Sequence, residues 1–141
     1  MHQTMTFDPG PAVTTSMGDR RRATEALYAT GHLLLGEEKP AHASGVFRAM
    51  ALLSPSDERA WLGLGACHEA IGQDQIALEM YGTGRVLSRT PIRSEVARTR
   101  LLRKLGREEE AEHALSRAEE LAEALDDEVL KLLVAEERSV S

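Results

Sequence analysis

Residue types in this chain recur at a fixed interval of 34, and that recurrence restricts its fold more than any other feature. Gly31 returns as Gly65, Ala43 as Ala77 and Ala111, and Phe47 as Tyr81 and Leu115. A separate series, Gly72 and Gly106, keeps the same step. A chain that repeats one unit at such a period stacks its units so that each buries the apolar face of its neighbour. Within the unit, Leu27, Leu34, Val46, Phe47, Met50 and Leu53 are spaced near a helical turn, so the unit is helical. Gly36-Glu37-Glu38-Lys39-Pro40 supplies a turn between two helices, with Pro40 tolerated in the first turn of the second.

Thirty-four residues is the period of a tetratricopeptide (TPR) hairpin. The spacing therefore predicts an all-α chain: three tandem TPR helix hairpins forming a right-handed solenoid with a C-terminal capping helix. The repeats fall at about 24–57, 58–91 and 92–125, within a domain spanning 20–138. In the middle copy, small Gly65 and Ala77 let the paired helices approach, while Trp61, Leu64 and Tyr81 fill the space between them and the next repeat. Pro55 and Pro91 are expected to end the second helices of repeats one and two. The third copy departs most, with Thr99 in place of the first-helix Gly and Glu95 in place of Trp.

The capping helix is expected at 126–138. Asp126 or Asp127 would cap its start, and Val129, Leu130, Leu133 and Val134 would form its apolar stripe. Residues 1–19, which include Pro9, Gly10, Pro11 and Gly18, read as a disordered N-terminal tail, and 139–141 as a frayed end.

Composition excludes several function classes. A formal net charge of -6 and a pI near 5.4 argue against nucleic-acid binding, which requires cations to displace phosphate counterions. One cysteine, Cys67, can form neither an internal disulfide nor a zinc site. No signal-peptide core and no apolar run of membrane-spanning length is present, so the sequence reads as that of a cytoplasmic protein without stable membrane insertion. His2, His32, His42, His68 and His113 show no metal-ligand spacing. Cys67 and His68 are adjacent on a helix and point apart by about 100 degrees, which rules them out as a catalytic pair. Gly63 and Gly65 lack the following Gly-Lys-Ser/Thr of a phosphate loop. The expectation is a protein with no catalytic residue, no cofactor and no metal, whose work is binding.

First-helix residues not used in packing would face a concavity. These are Glu25, Tyr28, His32 and Leu35, then Leu62, Ala66 and Glu69, then Val96, Arg100 and Arg103. Such a surface suits an extended peptide with spaced apolar anchors. Arg93, Arg98, Arg100, Arg103, Lys104 and Arg107 precede Glu108, Glu109, Glu110 and Glu112, which favours the dipoles of two successive helices. Arg100 and Arg103 are also candidates for an acidic client segment.

At Leu62-Gly63-Leu64-Gly65-Ala66-Cys67, followed by Ala70, Gly72, Gln73, Ala77 and Tyr81, the sequence resembles the class II chaperones of bacterial type III secretion systems. The likeness extends to Leu27-Tyr28, Val46-Phe47, Ala111-Glu112 and Ala118-Glu119-Glu120-Leu121, covering roughly 25–122. The resemblance implies a cytoplasmic chaperone that holds hydrophobic, secreted translocator subunits in an export-competent state. It also implies that Tyr28, Leu35, Leu62 and Ala66 line the client groove. Many members carry an extra N-terminal helix used in dimerisation, which leaves a homodimer open. The alternative is another TPR adaptor, such as a needle-subunit co-chaperone or a general protein scaffold.

Overall fold

The computed structural model describes residues 16–140, and among them the chain forms seven α-helices and no strand. They are α1 (Met17–Gly36), α2 (Pro40–Leu53), α3 (Glu58–Ala70), α4 (Asp74–Leu87), α5 (Ile92–Lys104), α6 (Glu108–Leu125) and α7 (Glu128–Ser139). The all-α expectation holds. Helix α1 begins earlier than expected because Ser16 caps it, its side chain accepting from the Asp19 N–H at 3.1 Å. Met17, Gly18 and Asp19 are thus helical, while Pro9, Gly10 and Pro11 lie outside the described residues. Pro91 also differs from expectation. Helix α4 has already ended at Leu87, and Pro91 occupies the N-cap of α5.

Three turns share one geometry at the same 34-residue step. Glu38, Gly72 and Gly106 take left-handed φ values of 62, 78 and 74°. The following residue then donates its N–H to a carbonyl five positions back: Lys39 to Leu34 at 2.9 Å, Gln73 to His68 at 2.8 Å and Arg107 to Leu102 at 2.8 Å. This is a Schellman closure, which satisfies orphan carbonyls at a helix end and reverses the chain.

Each helix packs on its successor, and α1, α3, α5 and α7 also pack on one another in turn. The backbones of α2, α4 and α6 never approach one another closely. Leading helices drawn together and trailing helices held apart make the leading face the shorter, inward-curving one.

Aromatic rings of trailing helices rest on bare backbone of leading helices. A methyl group at Gly31 would lie 2.8 Å from the Phe47 ring, and one at Gly63 only 2.4 Å from it. At Gly65 it would lie 2.1 Å from the Tyr81 ring. Around these contacts sit three buried clusters, centred on Phe47, Met50 and Leu64, on Tyr81, Leu101 and Leu102, and on Ile92, Val96 and Leu115.

The last cluster is closed by α7, where Val134 is buried and Leu130 and Leu133 partly so. Val129, expected in that stripe, is 67% exposed. The buried face runs instead through Leu130, Leu133, Val134 and Glu137, because Glu137 is held by arginines of α5. Asp127 caps α7, accepting from the Leu130 N–H at 3.1 Å, while Asp126 closes α6 in a left-handed conformation.

Glu38 is the one non-glycine among the three equivalent turns, and its side chain is strained by the left-handed backbone. Glu38→Gly is expected to stabilise the chain by about 0.5–1 kcal/mol, the strain relieved being partly offset by glycine's greater freedom when unfolded. Chemical denaturation checks this through a higher midpoint at unchanged slope.

Candidate functional site

The inward face carries an open cavity of about 570 Å³ lined by α1, α3, the ring of Phe47 and Arg93. Tyr28, His32 and Leu35 come from α1, and Leu62, Ala66 and Gly63 from α3. Helical spacing explains the alignment, since residues three or four apart share a face. Phe47 reaches the cavity only because Gly31 and Gly63 leave room for its ring, so the floor of the site is a by-product of the core contact.

One wall is aromatic and cationic. Tyr28 and His32 stack with ring centroids 5.8 Å apart at an interplanar angle of 28°. The Arg59 guanidinium lies 4.5 Å from the Tyr28 ring centroid, within cation–π range. Arg59 donates to both oxygens of Glu25 at 2.7 and 3.0 Å and to both oxygens of Asp57 at 2.8 and 3.0 Å. This double clamp fixes the plane of the guanidinium and hence of the tyrosine beneath it. The Glu25 carboxyl is held below its ordinary pKa by hydrogen bonding to Arg59. For Asp57, burial pushes upward, but the hydrogen bonds and charge of Arg59 outweigh it and the net shift is downward.

The other expected site residues lie elsewhere. Glu69 accepts the Tyr81 hydroxyl at 2.5 Å, which ties it to the adjacent trailing helix. Val96 is 2% exposed and presents nothing to a groove, because α7 covers the stretch of α5 on which it sits. Arg100 donates from Nε to Glu137 Oε1 at 2.5 Å, and Arg103 from Nη1 to Glu137 Oε2 at 2.7 Å. Their charges fasten the closing helix, on a surface separate from the Tyr28 cavity. Arg138, next in sequence, binds Glu112 and Glu119 of α6, so α7 is clamped to both helices beneath it.

Sequence reasoning missed Arg59 and Arg93 as lining residues. The signal was present in the repeat itself, since Glu25, Arg59 and Arg93 stand 34 apart and the Glu25–Arg59 pair joins neighbouring units. Cys67 is fully buried and burial pushes its thiol pKa up, while His68 bonds through Nδ1 with Gln73 Oε1 at 2.7 Å. Their surroundings are those of packing residues. No helix among the described residues is long and apolar enough to cross a membrane.

No family model matches the chain. SycD, the type III secretion translocator chaperone of Yersinia enterocolitica, is 30% identical and superposes with a TM-score of 0.76 over 86% of this chain and 90% of SycD. The chain belongs to the type III secretion translocator chaperones. A second member of similar shape is PcrH of Pseudomonas aeruginosa, solved in complex with the chaperone-binding region of PopB. It is 29% identical with a TM-score of 0.73, over 84% of this chain and 94% of PcrH. Low calcium response locus protein H of Yersinia pestis is 34% identical over 97 residues, 69% of this chain, and the match spans 58% of that relative's length.

The Arg59 clamp gives a pH-dependent expectation. Arg59→Gln should lower the melting temperature at pH 7 and by less in acid well below pH 3.8, where Glu25 and Asp57 lose their charge. Their folded pKa values lie below the ordinary 4.5 and 3.8, so the stabilisation they contribute is complete above those values and lost as pH falls through the depressed ones. Thermal melts of both chains at pH 7 and in acid measure it; an equal deficit at both would mean that Arg59 contributes through its contact with Tyr28 and not through the two carboxylates.

Proposed function

We propose that this translocator chaperone binds an extended segment of a hydrophobic, secreted translocator in the Tyr28–Leu62 cavity and keeps that client soluble and export-competent in the bacterial cytoplasm. The observation that carries the reading is the cavity itself: apolar Leu35, Leu62 and Phe47 beside the polar edges of Tyr28 and His32, on a face that continues across successive leading helices. Apolar pockets at one helix-pair spacing suit side chains projecting from an extended backbone. The PcrH–PopB complex supports a client of this kind.

On this reading each helix pair, 24–57, 58–91 and 92–125, is one TPR unit, with α7 as the cap. The groove consists of Tyr28, His32, Leu35, Leu62 and Ala66, with Arg59 and Arg93 at its polar edge. The role is binding without catalysis. The formal charge of -6 is consistent with a protein client and no nucleic acid.

A tagged chain purified from its own cell should carry a hydrophobic secreted protein in stoichiometric amount. Tyr28→Ala combined with Leu62→Glu should weaken that recovered partner's affinity at least about a hundredfold, since two buried anchors at about 1.5–3 kcal/mol each are removed. Calorimetry measures the affinity, and circular-dichroism melting is run on the same samples. Normal binding by a folded double variant would place the client elsewhere. Loss of cooperative unfolding would assign both residues to the core and remove the basis for the groove.

A further inference from the structure

The outward face, opposite the cavity, holds two crevices between trailing helices. The first, about 410 Å³, lies between α2 and α4 over α3 and is walled by Trp61, Leu64, Ile76 and Met80. The second, about 370 Å³, lies between α4 and α6 over α5 and includes Arg85, Glu95, Arg98 and Arg117. They exist because α2, α4 and α6 stay apart while the helices beneath them pack closely.

The two crevices are the same place one repeat apart. Advancing 34 residues, Ala51 becomes Arg85, Trp61 becomes Glu95, and Leu64 becomes Arg98, each pair occupying equivalent positions in its own crevice. An apolar pocket is thereby followed by an ionic one in strict register. Trp61, expected to fill the repeat core, packs against the first cluster and also walls the crevice, its indole N–H donated to the Pro55 carbonyl at 2.8 Å. Leu52 and Val86, also 34 apart, lie 83% and 74% exposed on the same trailing helices.

The ionic crevice gathers three arginines around one buried carboxylate. Glu95 is fully buried, with Arg98 Nη1 at 3.4 Å and Arg85 Nε at 3.2 Å. The Nε–H of Arg98 is buried without a hydrogen-bond acceptor, and that of Arg85, although 3.2 Å from Glu95, is not aligned to hydrogen-bond with it. Arg117 faces the same space from α6. Of the other acids there, Glu110 is taken by Arg107 at 2.7 and 3.0 Å, and Glu120 lies exposed. Buried guanidinium donors left unpaired are costly, and a carboxylate is the acceptor that fits their planar fork.

The geometry points to a second docking surface, distinct from the Tyr28 cavity: an extended polypeptide segment seats an apolar side chain against Trp61 and, one repeat further on, an acidic side chain among Arg85, Arg98 and Arg117. Because α2, α4 and α6 stand further apart than the ~8–10 Å of packed helices, and an extended chain advances about 3.3 Å per residue with alternate side chains on opposite faces, the two side chains stand about four residues apart in the bound segment, on the same face of it.

Trp61 is the chain's single tryptophan, so its fluorescence reports on the apolar crevice. The probes are two synthetic peptides in a Gly/Ser background, one with Leu followed four residues later by Asp, the other with Lys in place of Asp. The Asp peptide is expected to perturb Trp61 fluorescence with an affinity about tenfold higher than the Lys peptide. Arg117→Glu, an exposed position, should abolish or reverse that preference, while Tyr28→Ala should leave it intact. Equal affinity for the two peptides, or no response to either up to millimolar concentration, overturns the proposal. Loss of Asp-peptide binding in folded Tyr28→Ala would place the peptide in the inward cavity and overturn it as well.

Discussion

Everything else in the molecule is arranged around aromatic rings laid on bare backbone. Phe47 lies against Gly31 of one leading helix and Gly63 of the next, and Tyr81 repeats the contact on Gly65. Because these glycines have no side chain, trailing and leading helices approach closely at those points, and dispersion contacts that a methyl would disrupt hold the units together. The contact is shared between successive helix pairs, since Phe47 touches α1 and α3 at once. It draws the leading helices together and so produces both an inward-curving face and, on the other side, crevices between trailing helices that cannot close.

If the Tyr28 cavity is the client site as proposed, function and stability share a residue. Phe47 is buried in the first cluster and forms the floor of the Tyr28 cavity. The cavity ends where this arrangement ends. In the third helix pair the ring is replaced by Leu115, the glycine by Thr99, and Val96 is buried beneath α7. Clamping of α7 by Arg100 and Arg103 on one side and Arg138 on the other converts what would be a further stretch of groove into a closed end.

The repeat was legible in the sequence because it is written in residue types that have few substitutes: glycine under a ring, glycine in a left-handed turn, alanine at a close crossing. Tyr28, His32, Leu35, Leu62 and Ala66 followed from the same register and do line one cavity. The register could not show where the face is covered. Val96 is equivalent to Tyr28 and Leu62 by spacing, and only the packing of α7 distinguishes it. Nor could it reveal the role of Arg100 and Arg103, whose partner Glu137 lies in a helix read only as an apolar stripe. Trp61 does pack on the first cluster as expected, but the register could not show that its position beside the gap between α2 and α4 leaves it partly exposed.

The ring-on-glycine contact is tested most directly by the sign of one free-energy difference. Gly45, in the middle of α2, has open space where a methyl would go, whereas a methyl at Gly63 would lie 2.4 Å from the Phe47 ring. Both are helix-interior glycines, where alanine is intrinsically favoured by about 1 kcal/mol. Unfolding free energies from chemical denaturation should rise for Gly45→Ala and fall for Gly63→Ala, the latter by about 1–3 kcal/mol through overpacking. A Gly63→Ala chain as stabilised as Gly45→Ala would contradict the account, because the Phe47 ring would then not depend on the bare backbone beneath it.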